Sequence, residues 1–219
     1  MDVISLNKRA WERVVDTYAK REPVEVSSTF EFFCNGLPKR SRVLDVGCGT
    51  GVPFTKFLVE RGHQVVGIDI SSRMVQLARK NVPQATFREL SMTDLDYENE
   101  FEGVVASYTM LLLDPPRFKD VSQKIVHSLM KGGLFYLSLN EPWEEGADVD
   151  GEAVVEIMGE TMYSRAYTRE EVLDVFVPGG MKLLKFQRKI IISKEFGKEP
   201  MMEFVFKGYE SKGKSSTTG

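Results

Sequence analysis

Residues 43–51 read VLDVGCGTG in a chain of 219 residues. The segment begins as an apolar run typical of a buried strand, and the PFTKFLVERG segment that follows is typical of a helix. Three glycines between them let a backbone approach a ligand where a Cβ would collide, and they are Gly47, Gly49 and Gly51. The stretch predicts a strand, a ligand-binding turn and a helix.

Strand and helix patterns alternate on the C-terminal side of this segment. The predicted strands are RVLDV (42–46), QVVGID (64–69), ATFREL (85–90), GVVASY (103–108) and LFYLSL (134–139). Ser71 can cap the helix after the second strand, and Gly132 and Gly133 are expected to end the helix before the fifth. This alternation predicts an α/β fold, with a parallel sheet covered by helices on both faces.

Both ends of the chain have patterns of their own. Residues 6–20 predict an amphipathic helix, and a short helix is expected near residues 30–33. Thr168 and Glu171 fit a capping box that opens another helix. Residues 182–192 and 201–209 are apolar strands joined by a short polar stretch, which favours an antiparallel pair. The polar tail, residues 211–219, is expected to be disordered.

The composition is that of an ordinary globular protein, with 42% apolar and 28% charged residues. The length suits one domain, here residues 1–210. No apolar run approaches the roughly 18 residues of a membrane helix, and no secretory signal is visible, so no membrane span is expected. Cys34 and Cys48 are too few for a disulfide framework, which favours the reducing cytoplasm. The net charge of −3 gives no general attraction to nucleic acid.

Two acids follow the first two predicted strands. Asp69 ends the second strand, where a carboxylate can accept hydrogen bonds from both hydroxyls of a ribose. A dinucleotide fingerprint would need glycine at Val52, and a dinucleotide offers no cation to Asp45. S-adenosylmethionine carries an ammonium, so the residues favour this cofactor over a dinucleotide. A tight structural turn without a ligand is the remaining alternative.

VLDVGCGTG, then VVGIDIS, then LMKGGLFYLSL resemble the small-molecule class I S-adenosylmethionine-dependent methyltransferases, in the ubiquinone/menaquinone-methyltransferase-like group. The resemblance covers roughly residues 11–206. It implies a Rossmann-like sheet of seven mostly parallel strands, whose antiparallel last strand is inserted between the fifth and sixth. It also implies an enzyme that transfers a methyl group from S-adenosylmethionine to a small molecule by in-line displacement.

The resemblance also implies which residues bind the cofactor. Asp69 would hold the ribose, whereas Ser91 and Met92 stand where relatives often have an Asp and a small residue for the adenine. Asp94 could replace Ser91 there. The implied set is Tyr18, Asp45, Gly47, Cys48, Gly49, Gly51, Asp69, Ile70, Met74, Ser91, Met92, Thr93, Ser107 and Tyr108. An N-terminal helical segment, about residues 5–36, would cover the cofactor.

Catalytic residues are harder to assign, because methyl transfer from a sulfonium mainly needs alignment and exclusion of water. His63 and His127 are interpreted as structural, so no histidine base is predicted, and no metal site is expected. In the DPPRF segment, Arg117 stands where the motif of amino-methylating enzymes has an aromatic residue, so the segment is interpreted as a helix start. The acceptor-side candidates are Tyr108, Thr109, Asn140 and Glu141.

An acidic stretch follows the fifth strand, within a predicted insertion at about residues 141–166. Residues 141–160 hold eight acids and no Lys or Arg. They are either a solvated loop and helix or a cover over the acceptor pocket, with an apolar lining from Trp143, Met158, Met162 and Tyr163. A cover would favour a neutral or amine-bearing acceptor over nucleic acid. A regulatory protein that binds S-adenosylmethionine without catalysis, and an enzyme acting on protein or RNA, remain as alternatives.

Overall fold

The computed structural model describes residues 2–22, 24–142, 154–193 and 197–209. Its α-helices are α1 Val3–Tyr18, α2 Ser28–Gly36, α3 Phe54–Glu60, α4 Ser72–Asn81, α5 Pro115–Ser128 and α6 Arg169–Phe176. Its strands are β1 Arg42–Val46, β2 Gln64–Asp69, β3 Thr86–Glu89, β4 Phe101–Ser107, β5 Leu129–Asn140, β6 Val154–Ile157, β7 Glu160–Tyr163, β8 Met181–Ser193 and β9 Gly197–Gly208. Short 3-10 turns lie at Met92–Asp94 and Met110–Leu112.

Seven strands form one sheet in the order β3-β2-β1-β4-β5-β9-β8. Neighbours from β3 to β5 pair in parallel, whereas β9 pairs antiparallel with both β5 and β8. The last strand is thus inserted beside the fifth, which confirms the predicted Rossmann-like topology. The strand order reverses between β1 and β4, the place where ligands bind in open α/β sheets.

Helices cover both faces of the sheet. On one face Phe118 of α5 and Phe176 of α6 belong to a buried cluster with Phe135 of β5. On the other face Phe30 of α2 and Leu58 of α3 pack on strand residues, and α4 lies over β3. The buried area of these apolar side chains is the main source of stability, and it fixes the strand ends that build the site.

Several helix ends follow the predicted capping chemistry. The Ser71 hydroxyl accepts a hydrogen bond from the Met74 N–H and begins α4. Thr168 and Glu171 form a capping box at the start of α6. The Asp114 carboxylate accepts from the Arg117 N–H and begins α5 with prolines in its first turn. The DPPRF segment is therefore a helix start, as predicted.

Two sequence expectations are wrong. Gly132 and Gly133 do not precede the fifth strand, because β5 already pairs with β4 at Leu129 and carries the glycines in an irregularity with Gly132 at φ +75°. Residues 154–163 form a β-hairpin rather than a loop and helix. Met158 and Gly159 both have positive φ values, as a two-residue hairpin turn requires.

Other expectations for this region fall outside the described residues, namely Trp143, the acids Glu144, Glu145, Asp148, Asp150 and Glu152, and the tail from residue 211. Among the residues that the structure describes, no helix is long and apolar enough to cross a membrane.

Candidate functional site

The turn after β1 is shaped by two glycines in the left-handed region. Gly47 has φ +68° and Gly49 has φ +52°. A Cβ on Gly47 would lie 2.0 Å from the Thr109 hydroxyl oxygen, so only glycine lets these segments pack. A Cβ on Gly49 would instead meet nothing closer than the Tyr18 ring at 3.8 Å. Gly49 therefore leaves room for no more than a contact with Tyr18, and it lines the cavity at the carboxyl end of the sheet.

Cys48 and Gly51 belong to the packing beneath this turn, and neither lines the cavity described below. Cys48 is buried in an apolar cluster with Val75 and Phe87, and burial raises the pKa of its thiol. A Cβ on Gly51 would lie 3.2 Å from Val82, which directly follows α4. Both residues support the turn from behind, and their place at the cofactor stays a prediction.

Asp69 is tied to the turn by two backbone hydrogen bonds. One carboxylate oxygen accepts from the Gly49 N–H at 2.9 Å, and the other accepts from the Ser71 N–H at 2.9 Å. Burial raises the pKa of Asp69 to about 6, although these hydrogen bonds favour the charged form. The carboxylate lines the cavity at the switch point of the sheet.

Asp45 lies behind the cavity lining, and its role as a cofactor ligand stays a prediction. It is buried, and its carboxylate accepts a hydrogen bond from the Thr55 hydroxyl of α3 at 2.5 Å. Burial raises the pKa of Asp45 to about 6. Its side chain joins β1 to α3 below the turn, so it supports the site without lining it.

A cavity of about 1120 Å³ opens above these strand ends. Ligand pockets usually measure about 300–1,000 Å³, so this cavity has room for a nucleoside-sized molecule and a second small molecule. It brings together most of the predicted site residues, namely Tyr18, Gly47, Gly49, Asp69, Ile70, Met74, Ser91, Met92, Ser107, Tyr108, Thr109 and Asn140.

Helix α1 covers the cavity from above. The Trp11 and Tyr18 rings line it and meet edge to face with centroids 5.5 Å apart. The buried Asn7 side chain donates to the carbonyl oxygens of Leu112 and Tyr163 and accepts from the Tyr163 N–H. Helix α2 lines no part of the cavity, and its Phe30 and Phe33 pack against the sheet. The described residues that line the cavity here come from α1 and the following loop, and a cover formed by the whole of residues 5–36 stays a prediction.

Below β3, Ser91 has a local partner. Its hydroxyl accepts from the Thr93 N–H and hydrogen-bonds with the Thr93 hydroxyl at 2.7 Å. Ser91 and Met92 line the cavity, whereas Thr93 does not. The Thr93 side chain completes the cap of the 3-10 turn, and a role for Thr93 at the cofactor stays a prediction.

The opposite end of the cavity is built by β5, β8 and β9. The Asn140 amide donates to the Glu199 carboxylate at 3.0 Å, and both residues line the cavity. Lys189 also lines it and pairs with the buried Glu203 carboxylate at 3.0 Å. Glu141 does not line it, because its carboxylate binds Arg188 at 2.6 Å. Glu141 is therefore dropped as an acceptor-side candidate.

Tyr108 and Ser107 connect the end of the cavity at the glycine turn with the end built by β5, β8 and β9. Tyr108 has φ +53° and directs its hydroxyl to the Met201 sulfur, and burial raises its pKa. The Ser107 hydroxyl hydrogen-bonds with that of Ser138 at 2.9 Å. His63 and His127 do not line the cavity. Within the described ranges no group of histidine, cysteine and acidic side chains could hold a metal ion.

Sequence reasoning missed the wall residues that come from distant segments. Asn7 gave a usable signal, since it is a polar residue on the buried stripe of α1, one turn before Ala10. Lys189 and Glu199 gave none, because only the insertion of β9 brings them to the cavity. The main additions are Asn7, Leu90, Leu112, Val155, Ile157, Lys189, Ile191 and Glu199.

Comparison with known proteins agrees with this arrangement. A family model described as a methyltransferase domain matches residues 43–133. An uncharacterized methyltransferase of Synechocystis is 35% identical over 97 residues, which cover 44% of this chain and 45% of that protein. A dTDP-3-amino-3,4,6-trideoxy-alpha-D-glucopyranose N,N-dimethyltransferase of Streptomyces venezuelae is 33% identical over 121 residues, covering 54% and 49%. The chain thus spans about half the length of these curated relatives.

Solved structures resemble more of the chain. A SAM-dependent methyltransferase from Methanosarcina mazei matches with a TM-score of 0.73 at 18% identity, over 85% of this chain and 100% of that one. The Burkholderia thailandensis 1,6-didemethyltoxoflavin-N1-methyltransferase, with bound 1,6-didemethyltoxoflavin and S-adenosylhomocysteine, matches with a TM-score of 0.70 at 18% identity, over 94% and 87%. The ubiquinone/menaquinone subgroup stays a prediction. Residues 43–133 match the model of a methyltransferase domain, and the chain has the fold of the S-adenosylmethionine-dependent methyltransferases.

Proposed function

We propose that this chain binds S-adenosylmethionine and transfers its methyl group to a small molecule. The observation that carries the proposal is the pairing of the Gly49 N–H with the Asp69 carboxylate at the floor of the cavity. A ribose held by Asp69 would place the rest of the cofactor along the glycine turn. The methyltransferase-domain match and the names of the similar proteins support the same activity.

The residues present fit this cofactor. Gly49 lines the cavity without a side chain, so a ligand can lie against its backbone there. Ile70, Met74 and Met92 offer an apolar surface for an adenine ring. The Trp11 indole nitrogen is buried in the cover without a hydrogen-bond partner and can donate to an anionic group. These features favour a nucleoside that also carries a carboxylate.

When bound, S-adenosylmethionine supplies a methyl group that is already activated on a sulfonium. The protein then has to bind the cofactor and the acceptor, align them and exclude water. We assign ribose binding to Asp69 and closure of the cavity to α1 through Trp11 and Tyr18. Ser107 and Tyr108 would border the reacting end of the cofactor. A cavity of about 1120 Å³ leaves room there for the acceptor.

The small-molecule acceptor is an inference from the cavity beneath α1 and from the names of the similar proteins. A polymer would need a wide opening, whereas α1 and the β6–β7 hairpin lie over this site. We also infer a cytoplasmic location, which suits the two free, buried cysteines.

Calorimetry with S-adenosylmethionine, S-adenosylhomocysteine and NAD tests cofactor choice. We expect the first two to bind with similar affinity and NAD not to bind. Binding of NAD alone would support the dinucleotide alternative. Binding of none of the three would contradict both an enzyme and a regulatory protein that uses S-adenosylmethionine.

A further inference from the structure

We propose that Asn140 and Glu199 form a subsite that binds an N–H or O–H group of the methyl acceptor. This inference rests on the proposed function and names the chemical class of its substrate. The class is a partly apolar molecule, neutral or cationic, that carries an amine or hydroxyl group.

The pair is held by the insertion of β9 beside β5. Asn140 ends β5 and lies opposite Met201, and Glu199 stands two residues earlier on β9. The Asn140 Nδ2 donates to Glu199 Oε1 at 3.0 Å. This contact fixes the orientation of the amide, because the opposite orientation would place two oxygens together. Among the residues that the structure describes, the Asn140 Oδ1 then has no hydrogen-bond partner, and it is buried.

The groups that this subsite offers to a ligand are hydrogen-bond acceptors. Both residues line the cavity, and together they offer the amide oxygen and a carboxylate, which accept hydrogen bonds. A buried acceptor without a donor is costly, so a molecule that brings an N–H or O–H is favoured at this wall. An acceptor molecule without a donor would leave the Asn140 oxygen unsatisfied.

The charges around the subsite also favour a neutral or cationic molecule. Glu199 and Glu156 line this end of the cavity, and the cation of Lys189 is paired with Glu203 at 3.0 Å. Among the described residues beside Asn140, an anionic group would therefore meet the Glu199 carboxylate, and the Lys189 cation there is already paired with Glu203. The remaining wall includes Ile191 and Ile157, which suit an apolar body.

The subsite also lies within reach of the expected reacting centre. Ser107 pairs in register with Ser138, and Asn140 stands two residues farther along the same face of β5. Two residues of a strand span about 7 Å. A small molecule anchored at Asn140 can therefore present a neighbouring atom beside Ser107 and Tyr108, where the methyl group would arrive.

Fluorine NMR on protein loaded with S-adenosylhomocysteine tests the subsite. The probes are two matched pairs, a fluorinated phenol with its methyl ether, and a fluorinated aniline with the corresponding fluorinated toluene. We expect the donor of each pair to bind about tenfold more tightly than its partner, the ratio expected for one well-formed hydrogen bond. Asn140→Leu and Glu199→Leu should each reduce this ratio towards one.

Glu141→Gln is the matched control, because it changes the adjacent carboxylate, which lies outside the cavity, and should keep the ratio. Equal binding within each pair, no binding by any probe, or a ratio that survives both leucine variants would overturn the proposal. Loading with S-adenosylhomocysteine is measured first by calorimetry. Its failure would count against the proposed function, whereas normal loading without discrimination counts only against the subsite.

Discussion

The Asp69 carboxylate holds the glycine turn by accepting a hydrogen bond from the Gly49 N–H at 2.9 Å. The end of β2 and the turn after β1 are therefore one unit, and the acid is oriented before any ligand arrives. Its other oxygen accepts from the Ser71 N–H, which also fixes the start of α4. Such preorganisation lowers the cost of binding a ribose.

Asp69→Ala should weaken binding of S-adenosylmethionine at least tenfold. The variant loses two charge-assisted hydrogen bonds to the ribose, each worth roughly 1.5–3 kcal/mol. Calorimetry gives the affinity, and circular dichroism checks the fold. Asp120→Ala, which removes an exposed acid of α5, should leave the affinity unchanged. An unaltered affinity in Asp69→Ala would mean that the ribose lies elsewhere.

Gly49→Val should abolish cofactor binding, because its side chain would project into the cavity beside Tyr18. Gly62→Val is the matched control. Gly62 also has positive φ, at +83°, but a Cβ there would meet no atom within 4 Å. Both variants carry backbone strain of roughly 1–3 kcal/mol. Calorimetry on the folded variants should therefore distinguish the effect of backbone strain from that of a side chain that fills the cofactor's space. Equal affinities for S-adenosylmethionine in the two variants would contradict the placement of the cofactor.

Binding of S-adenosylmethionine should depend on pH through Asp69. Burial raises its pKa to about 6, so the carboxylate is charged above that value and protonated below it. Affinity should fall as the pH drops through about 6, and this step should be absent in Asp69→Asn. The stability of the apo-protein should change in the opposite direction. Because folding raises the pKa of Asp69 from 3.8 to about 6, ionisation of this group lowers the free energy of unfolding as the pH rises between these values. A pH-independent affinity in calorimetry would count against ribose binding by the ionised acid.

Asn7→Leu should loosen α1. The buried amide makes three hydrogen bonds to Leu112 and Tyr163, and its loss leaves their backbone groups unsatisfied. We expect the free energy of unfolding to fall by about 1–3 kcal/mol and cofactor affinity to fall with it. Chemical denaturation and amide exchange in α1 measure this. Lys8→Ala removes only an exposed ion pair with Glu89 and should have little effect. An intact α1 in Asn7→Leu would show that apolar packing alone holds the cover.

The glycine turn and its neighbouring strands could be predicted from sequence because local chemistry determines them. Residues 42–46 and 64–69 match β1 and β2, since both are continuous apolar runs bounded by polar residues and glycines. The hydrogen bond between Asp45 and Thr55 could not be predicted, because it depends on how α3 packs against β1. Glu199 reaches the cavity only through a long-range strand insertion, which leaves no local pattern around it.

Incubation with S-adenosylmethionine radiolabelled on its methyl group and a metabolite extract tests the central claim most directly. The account predicts that the wild-type protein transfers label to a small molecule and that Gly49→Val does not. Cofactor binding without any transfer of label, or label found only in protein or RNA, would contradict it.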